Sequence, residues 1–228
     1  MIVADFEPVS LNDFPGRIAT VVFIHGCNLL CRFCYNRELV LKNFAYVDKT
    51  KEFFKFLKEN GIKSVAITGG EPLFHPNIFE FLYELKGDGI ETKLDTNGFS
   101  SKKLKIALDE KLLDYVAVDV KGFSDEEIKY ITRCNLKFRY FADTYRLLKK
   151  YGVPFELRIT VWRDFQKETL KNFFMLIDSN DKVVLQKPIV DKPLLDKRFE
   201  SQLKRIDFER NVEVFMSYFP KTKVRNIL

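Results

Sequence analysis

The sequence predicts an α/β fold, a partial (β/α)6 barrel, on two observations. Six short runs rich in β-branched and apolar residues alternate with amphipathic stretches of helical length, the pattern of βα units whose parallel strands are covered on both faces. The unusual residues follow those runs directly: HGCN after the first, TGGEP after the second, DTNG after the third, DVKG after the fourth. Loops at the carboxyl ends of parallel strands are where open sheets and barrels both build their sites, and a barrel gathers several of them around one mouth.

The first strand is the run ATVVFIHG at 19–26, followed by a long amphipathic segment at 48–60. KSVAIT at 63–68 is the second strand, and the next segment sets Ile78, Phe81, Leu82 and Leu85 at i, i+3, i+4 and i+7, one face of a helix. IETKLD (90–95), DYVAVDV (114–120), FELRITV (155–161) and KVVLQK (182–187) complete the strands, with helices expected near 101–110, 125–132, 140–151, 167–178 and 196–207. KPLLDKRFESQLKRIDFE then reads as a final amphipathic helix and NVEVFMSYF as a last strand. Residues 191–228 thus follow a core of about 17–190 with no role assigned to them. No linker and no repeat beyond the βα period interrupts the chain, so residues 1–228 are taken as one domain.

Composition narrows the functional classes. Hydrophobic residues at 46% and charged residues at 31%, with 10 Gly and 8 Pro, exclude disordered, collagen-like and low-complexity chains. No run of about 18 apolar residues exists, and the start MIVADFEPVSLNDFPGR has acidic and Pro/Gly residues where a signal peptide needs an apolar stretch. The expectation is a cytoplasmic protein without membrane attachment. The net charge of +6 would favour nucleic acid if it were concentrated on one face. Lysines are instead scattered over presumed helix surfaces, as at 49–59 and 147–152, so no nucleic-acid partner is expected. The 23 Phe against 3 Met and 1 Trp point to a core packed with rings.

Three of the four cysteines, Cys27, Cys31 and Cys34, fall within GCNLLCRFC. Without a secretory signal, this spacing reads as thiolates converging on one metal centre rather than as a disulfide framework. Three ligands leave one position open. A structural zinc site closes with a fourth Cys or His, here His25 or Cys134, whereas an iron–sulfur cube on three thiolates keeps one iron for a non-protein ligand. Otherwise Cys134 reads as a small buried or loop thiol, and His25 and His75 as loop or packing residues.

The run C-x3-C-x-Φ-C, here Cys27, Cys31, Phe33 and Cys34, resembles the signature of the radical S-adenosylmethionine (SAM) enzymes, and ITGGEP is similar to the Gly-Gly-Glu motif that ends their second strand. The resemblance implies the partial TIM-like barrel of that family. It also implies a [4Fe-4S] cluster held by Cys27, Cys31 and Cys34, with SAM chelating the fourth iron and the loop of Gly69, Gly70 and Glu71 binding its amino end. Glycines admit close backbone approach, and a carboxylate accepts from an ammonium-type nitrogen. LDTNG (94–98) and DVK (119–121) resemble the third- and fourth-strand motifs of glycyl-radical-enzyme activating proteins. There Asp95, Thr96 and Asn97 would line the ribose and carboxylate region of SAM. Asp119 and Lys121, two apart on a strand end, point the same way and could reach one ligand as a pair, the alternative being a surface ion pair. Arg158 resembles an arginine that contacts the cofactor in this subgroup, and an unpaired Arg in an apolar strand would be costly. Gln186 ends the sixth strand similarly.

The stretch SLNDFPGRIATVVFIHGCNLLCRFCYNREL is similar to the opening of anaerobic ribonucleoside-triphosphate reductase activating proteins in their longer form. That resemblance implies an anaerobic oxidoreductase that reductively cleaves SAM to a 5′-deoxyadenosyl radical and installs a glycyl radical on a partner enzyme. Ribonucleotide reductase is the first choice of partner, and a carrier such as flavodoxin or ferredoxin the electron donor. No catalytic side chain beyond the cofactor-binding set is expected, because the cofactors do the difficult chemistry. One alternative is a radical SAM enzyme with a small-molecule substrate, like the 7-carboxy-7-deazaguanine synthases. Those usually place a hydroxyl residue directly after the third cysteine, where this chain has Tyr35. The other is a non-catalytic zinc or iron–sulfur module, which would have no reason to carry GGE, DTNG and DVK at successive strand ends.

Overall fold

The computed structural model describes residues 3–41 and 47–225. Eight strands form one sheet in chain order: β1 (Val3–Ser10), β2 (Ala19–Ile24), β3 (Ser64–Gly69), β4 (Glu91–Thr96), β5 (Tyr115–Asp119), β6 (Phe155–Thr160), β7 (Val183–Gln186) and β8 (Lys223–Arg225). From β2 to β8 every neighbouring pair is parallel, while β1 is antiparallel to β2. Parallel neighbours need crossover connections, usually helical. No pairing joins β8 to β1 among the described residues, so the barrel is open, as the βα count predicted.

Helices Thr50–Glu59, Ile78–Gly87, Ser101–Asp109, Asp125–Thr132, Phe138–Tyr151 and Lys167–Leu176 pack on the sheet. The predicted stripe Ile78, Phe81, Leu82 and Leu85 is buried. Rings fill the space between layers: Phe53 stacks on Phe81 at 5.7 Å between centroids, and Phe173 meets Phe123 at 5.2 Å, edge to face. Each buried ring contributes about 1.5–3 kcal/mol. No helix of the described residues is long and apolar enough to cross a membrane.

Three elements depart from the periodicity reading. β1 was not expected, because Asp5, Glu7 and Pro8 break its apolar pattern; as an edge strand it tolerates them, and its pairing with β2 shifts register twice. Most of the segment NVEVFMSYF, expected as a strand, lies in helix Phe208–Met216, with 217–219 beyond its end: Phe208, Asn211 and Phe215 are its buried face and the Asp207 side chain accepts from Arg210 N at 3.0 Å. The β-branched Val212 and Val214 misled, since burial recurs there at helical and not alternating spacing. The continuous helix expected over 196–207 is instead a single 3₁₀ turn, Lys197–Phe199, and one α turn, Glu200–Leu203, and the final strand is the short β8.

β4 and β6 bury charged side chains as well as apolar ones. Lys93 and Glu156 are fully buried. Glu156 meets Lys182 Nζ at 2.6 Å and Arg225 Nη1 at 3.0 Å, and accepts from the Tyr115 hydroxyl at 3.2 Å. Burial alone would raise the Glu156 pKa, but Lys182 and Arg225 hold it below the usual range. A lowered folded pKa means that this carboxylate stabilises the fold above its unfolded pKa of about 4.3 and loses that contribution as pH falls. Glu156→Gln is therefore expected to lower unfolding free energy near neutral pH by about 1.5–3 kcal/mol, the gap to wild type closing on acidification in denaturant titrations.

Candidate active site

A cavity of about 570 Å³ opens at the carboxyl ends of the parallel strands, a volume in the range of small-molecule sites. Every residue that the motifs single out lines it except Glu71. The thiols Cys27, Cys31 and Cys34 and the Phe33 ring come from the loop after β2, Gly69 from the end of β3 and Gly70 from the residue after it, Asp95 and Thr96 from β4 and Asn97 from the loop that follows. Asp119 ends β5 with Lys121 two residues beyond, Arg158 comes from β6 and Gln186 from β7.

The two glycines are required by backbone proximity. Gly70 N donates to Ile24 O and Glu71 N to Gly26 O, both at 2.8 Å, so the β3 end is zipped onto the extension of β2. A Cβ on Gly70 would lie 1.9 Å from the Gly26 carbonyl oxygen, and one on Gly69, whose φ is +116°, would lie 2.4 Å from Ile24 N. Glu71 turns away from the cavity and is 1% exposed. One carboxylate oxygen accepts from Leu73 N (3.2 Å) and Thr96 Oγ1 (2.8 Å), the other from Asn97 N (2.6 Å). Burial pushes its pKa up to about 7 against those three donors. In this structure the Glu71 carboxylate ties the β3 end to the β4 loop.

Across β4, β5 and β6 the charges alternate. Lys93 Nζ is hydrogen-bonded to Asp95, Asp95 Oδ2 lies 2.8 Å from Arg158 Nη1, Asp119 Oδ1 lies 2.9 Å from Arg158 Nε, and Asp119 Oδ2 lies 3.2 Å from Lys121 Nζ. Asp119 faces Arg158 in the β5/β6 register, so the cost of burying Arg158 is met by carboxylates of the protein. Despite burial, Arg158 and Lys121 hold the Asp119 carboxyl down at about 2, and Arg158 and Lys93 lower that of Asp95. Lys121 also lies over the Phe33 ring at 5.5 Å. Gln186 pairs with Thr160 in register, and both line the cavity.

The thiol loop is held from several sides. Asn97 Nδ2 donates to Asn28 Oδ1 at 2.8 Å. Leu30 N and Arg32 N donate to Thr132 O and Ile131 O, and Cys134 Sγ donates to Asn28 O at 3.5 Å. From the C-terminal segment, Leu195 N donates to Cys34 O and Asp196 N to Arg32 O, while the 6%-exposed Asp196 carboxylate lies 2.6 Å from both Arg32 Nη1 and Arg133 Nη2. Asn28, Lys93 and Asp196 were not singled out from sequence. The first two adjoin motif residues, but Asp196 sits in a segment with no motif, and the unbroken helix expected there concealed it. His75 caps its own turn, Nδ1 accepting from Asn77 N.

The donor set fits an iron–sulfur cluster. Burial raises all three thiol pKa values, that of Cys31 to about 12, while the nearby Lys121 ammonium pulls Cys31 and Cys34 down. A bound metal centre deprotonates such thiols outright. Among the described residues no three His, Cys, Asp or Glu side chains converge closely enough for a single metal ion; a four-iron cube spaces its thiolates more widely.

Residues 21–177 match the profile of the Radical SAM superfamily. A candidate glycyl-radical enzyme activating enzyme of Methanocaldococcus jannaschii is 29% identical over 131 residues, covering 57% of this chain and 54% of the relative, so the chain spans about half of that protein. An S-adenosylmethionine-dependent nucleotide dehydratase of a Thermoplasmatales archaeon is 26% identical, covering 93% and 82%. The crystal structure of Streptococcus suis SuiB bound to S-adenosylmethionine superposes with a TM-score of 0.63 at 15% identity, covering 91% of this chain and 52% of that one; this is a likeness of fold.

Two substitutions separate bracing from cavity lining. Glu71→Gln leaves one acceptor for three donors and is expected to cost about 1–3 kcal/mol in denaturant unfolding. Gly70→Ala forces the thiol loop to move and is expected to cut iron uptake on anaerobic reconstitution, whereas Gly87→Ala, whose Cβ meets nothing within 4 Å, retains it.

Proposed function

The chain belongs to the Radical SAM superfamily, whose enzymes work with a [4Fe-4S] cluster and S-adenosylmethionine, and on that premise we propose that it installs a glycyl radical on a partner enzyme. Cys27, Cys31 and Cys34 would hold the cluster, with Phe33 of the same loop lining the cavity beside it. Gly69, Gly70, Asp95, Thr96, Asn97, Asp119, Lys121, Arg158 and Gln186 would bind SAM, all within one domain. Bound together, the two cofactors supply a one-electron cleavage of the sulfonium and a carbon radical able to take a hydrogen atom.

The chain's own residues supply placement. Arg158 and Lys121 bring cations, and Asp95 and Asp119 bring ionised carboxylates, all fixed by one another before any ligand arrives. Gly69 and Gly70 keep the β3 end flat against β2, so that backbone rather than side chain faces the cavity there. Glu71, Asn28 and Asp196 hold the loops that carry these groups. No proton acceptor is required, because hydrogen-atom abstraction moves proton and electron together.

The observation that carries the reading is the meeting of three thiols, two glycines and an alternating charge chain on one cavity in an open barrel. An opening between β1 and β8 suits entry of a glycine loop from a protein, with an anaerobic ribonucleotide reductase as the first candidate. The relative named as a glycyl-radical activating enzyme supports it. A second reading, a nucleotide-sized substrate, is favoured by the dehydratase relative, which aligns over more of both chains. After anaerobic reconstitution, dithionite and SAM are expected to yield 5′-deoxyadenosine, with loss in Cys27→Ala. A glycyl radical signal in electron spin resonance, appearing only when a ribonucleotide reductase is added, is the expected outcome. Cleavage that is stimulated by nucleotides and gives no protein radical would favour the second reading.

A further inference from the structure

We propose that the outer face of the thiol loop is the docking surface for an acidic one-electron carrier protein. The proposal rests on the reading that the loop holds a cluster to be reduced. Along 29–35, Leu29, Cys31, Phe33, Cys34 and Tyr35 line the cavity, whereas Leu30 and Arg32 do not. Leu30 is 41% exposed between two of the thiol residues, and the 45%-exposed Tyr130 ring lies 4.7 Å below the Arg32 guanidinium. Exposed apolar side chains rimmed by charge mark contact surfaces.

The charge of this face is strongly one-sided. Asp196 is the single carboxylate to which Arg32, Arg133 and Arg198 come, the first two at 2.6 Å and Arg198 Nε at 3.8 Å. Three guanidiniums on one buried carboxylate leave a surplus of two positive charges, and the adjacent Lys197 is exposed and adds a third. Among the described residues no second carboxylate pairs with these arginines. Part of the overall excess of +6 thus gathers beside the thiol loop, on Arg32 of the loop itself and on Arg133, Lys197 and Arg198 of the segments packed against it. A negatively charged partner would be steered there.

Position favours an electron carrier over other acidic partners. A protein seated on Leu30, Arg32 and Tyr130 lies against the backbone that links Cys27, Cys31 and Cys34, and leaves the cavity mouth clear for substrate. Asp196 keeps the face rigid, its backbone N–H donating to Arg32 O and its carboxylate accepting from Arg32 Nη1. The step asked of the face is small: the reduced carrier gives up one electron, the cluster gains it, and no bond is made or broken.

The test uses the reconstituted 228-residue chain, photoreduced flavodoxin as an acidic carrier, and dithionite as a small reductant that needs no docking. In Lys197→Glu/Arg198→Glu, where the Arg198 side chain is 95% exposed, flavodoxin-driven 5′-deoxyadenosine formation is expected to fall about tenfold or more at low salt. The difference is expected to shrink as salt rises, and the calorimetric affinity for oxidised flavodoxin to weaken in parallel. Dithionite-driven cleavage is expected to stay unchanged. Equal flavodoxin rates in variant and wild type would overturn the proposal, as would an equal loss with dithionite, which would make these residues supports of the loop. Salt-sensitive binding of a single-stranded oligonucleotide lost in the variant, with carrier rates intact, would reassign the face to nucleic acid. Absence of cleavage with either reductant in wild type would remove the radical reading itself.

Discussion

Asp95 and Asp119, each set between two cations, are the constraint on which the mouth of the barrel depends. Their partners come from three strands, Lys93 from β4, Lys121 from the end of β5 and Arg158 from β6. Taking five charges out of water is tolerated because every one has an opposite charge at hydrogen-bonding distance. Such a chain is weak evidence for stability, since apolar residues of similar volume often serve as well. What it provides is a wall of fixed dipoles and charges around a cavity, already oriented when a charged ligand enters.

Around that wall the loops are tied to one another. Glu71 joins the β3 end to the β4 loop, Asn97 joins the β4 loop to the thiol loop through Asn28, and Asp196 joins the thiol loop to the C-terminal segment. The site therefore contains two populations of polar side chain. Asp119, Lys121 and Arg158 face the cavity, while Glu71 and Asp196 are consumed in holding backbone. This division explains why a buried carboxylate with a pKa near 7 need not be an acid or base: Glu71 has three donors to satisfy and no opening to the cavity.

The C-terminal residues acquire a role through the same net. Without the backbone of Leu195 and Asp196, the carbonyls of Cys34 and Arg32 would lose their donors, and without the Asp196 carboxylate Arg32 and Arg133 would repel each other. The segment thus finishes the thiol loop from outside, as Asn97 and Glu71 finish it from inside. Cys134, the fourth cysteine, belongs to this support, its thiol hydrogen-bonded to the loop backbone.

Most of the strands, and the motif residues that line the cavity, were legible because both are local properties. Apolar runs of five or six residues, each ended by glycine or a charged pair, announce a parallel strand and its carboxyl-end loop. The thiol spacing and GGE carry their chemistry in adjacent residues. Less legible were elements whose state depends on what lies beside them: β1, tolerable in its polarity only as an edge, and helix Phe208–Met216, whose valines resemble a strand until the Asp207 cap and the buried face of Phe208 and Phe215 are seen. The sequence by itself determined the order of βα units, the thiols and the loops that would meet. Only packing decided which groups Glu71 and Arg158 meet, and that Asp196, far along the chain, braces the thiol loop. Hydrogen bonds and ion pairs between distant residues are formed by packing, and nothing in local spacing encodes their partners.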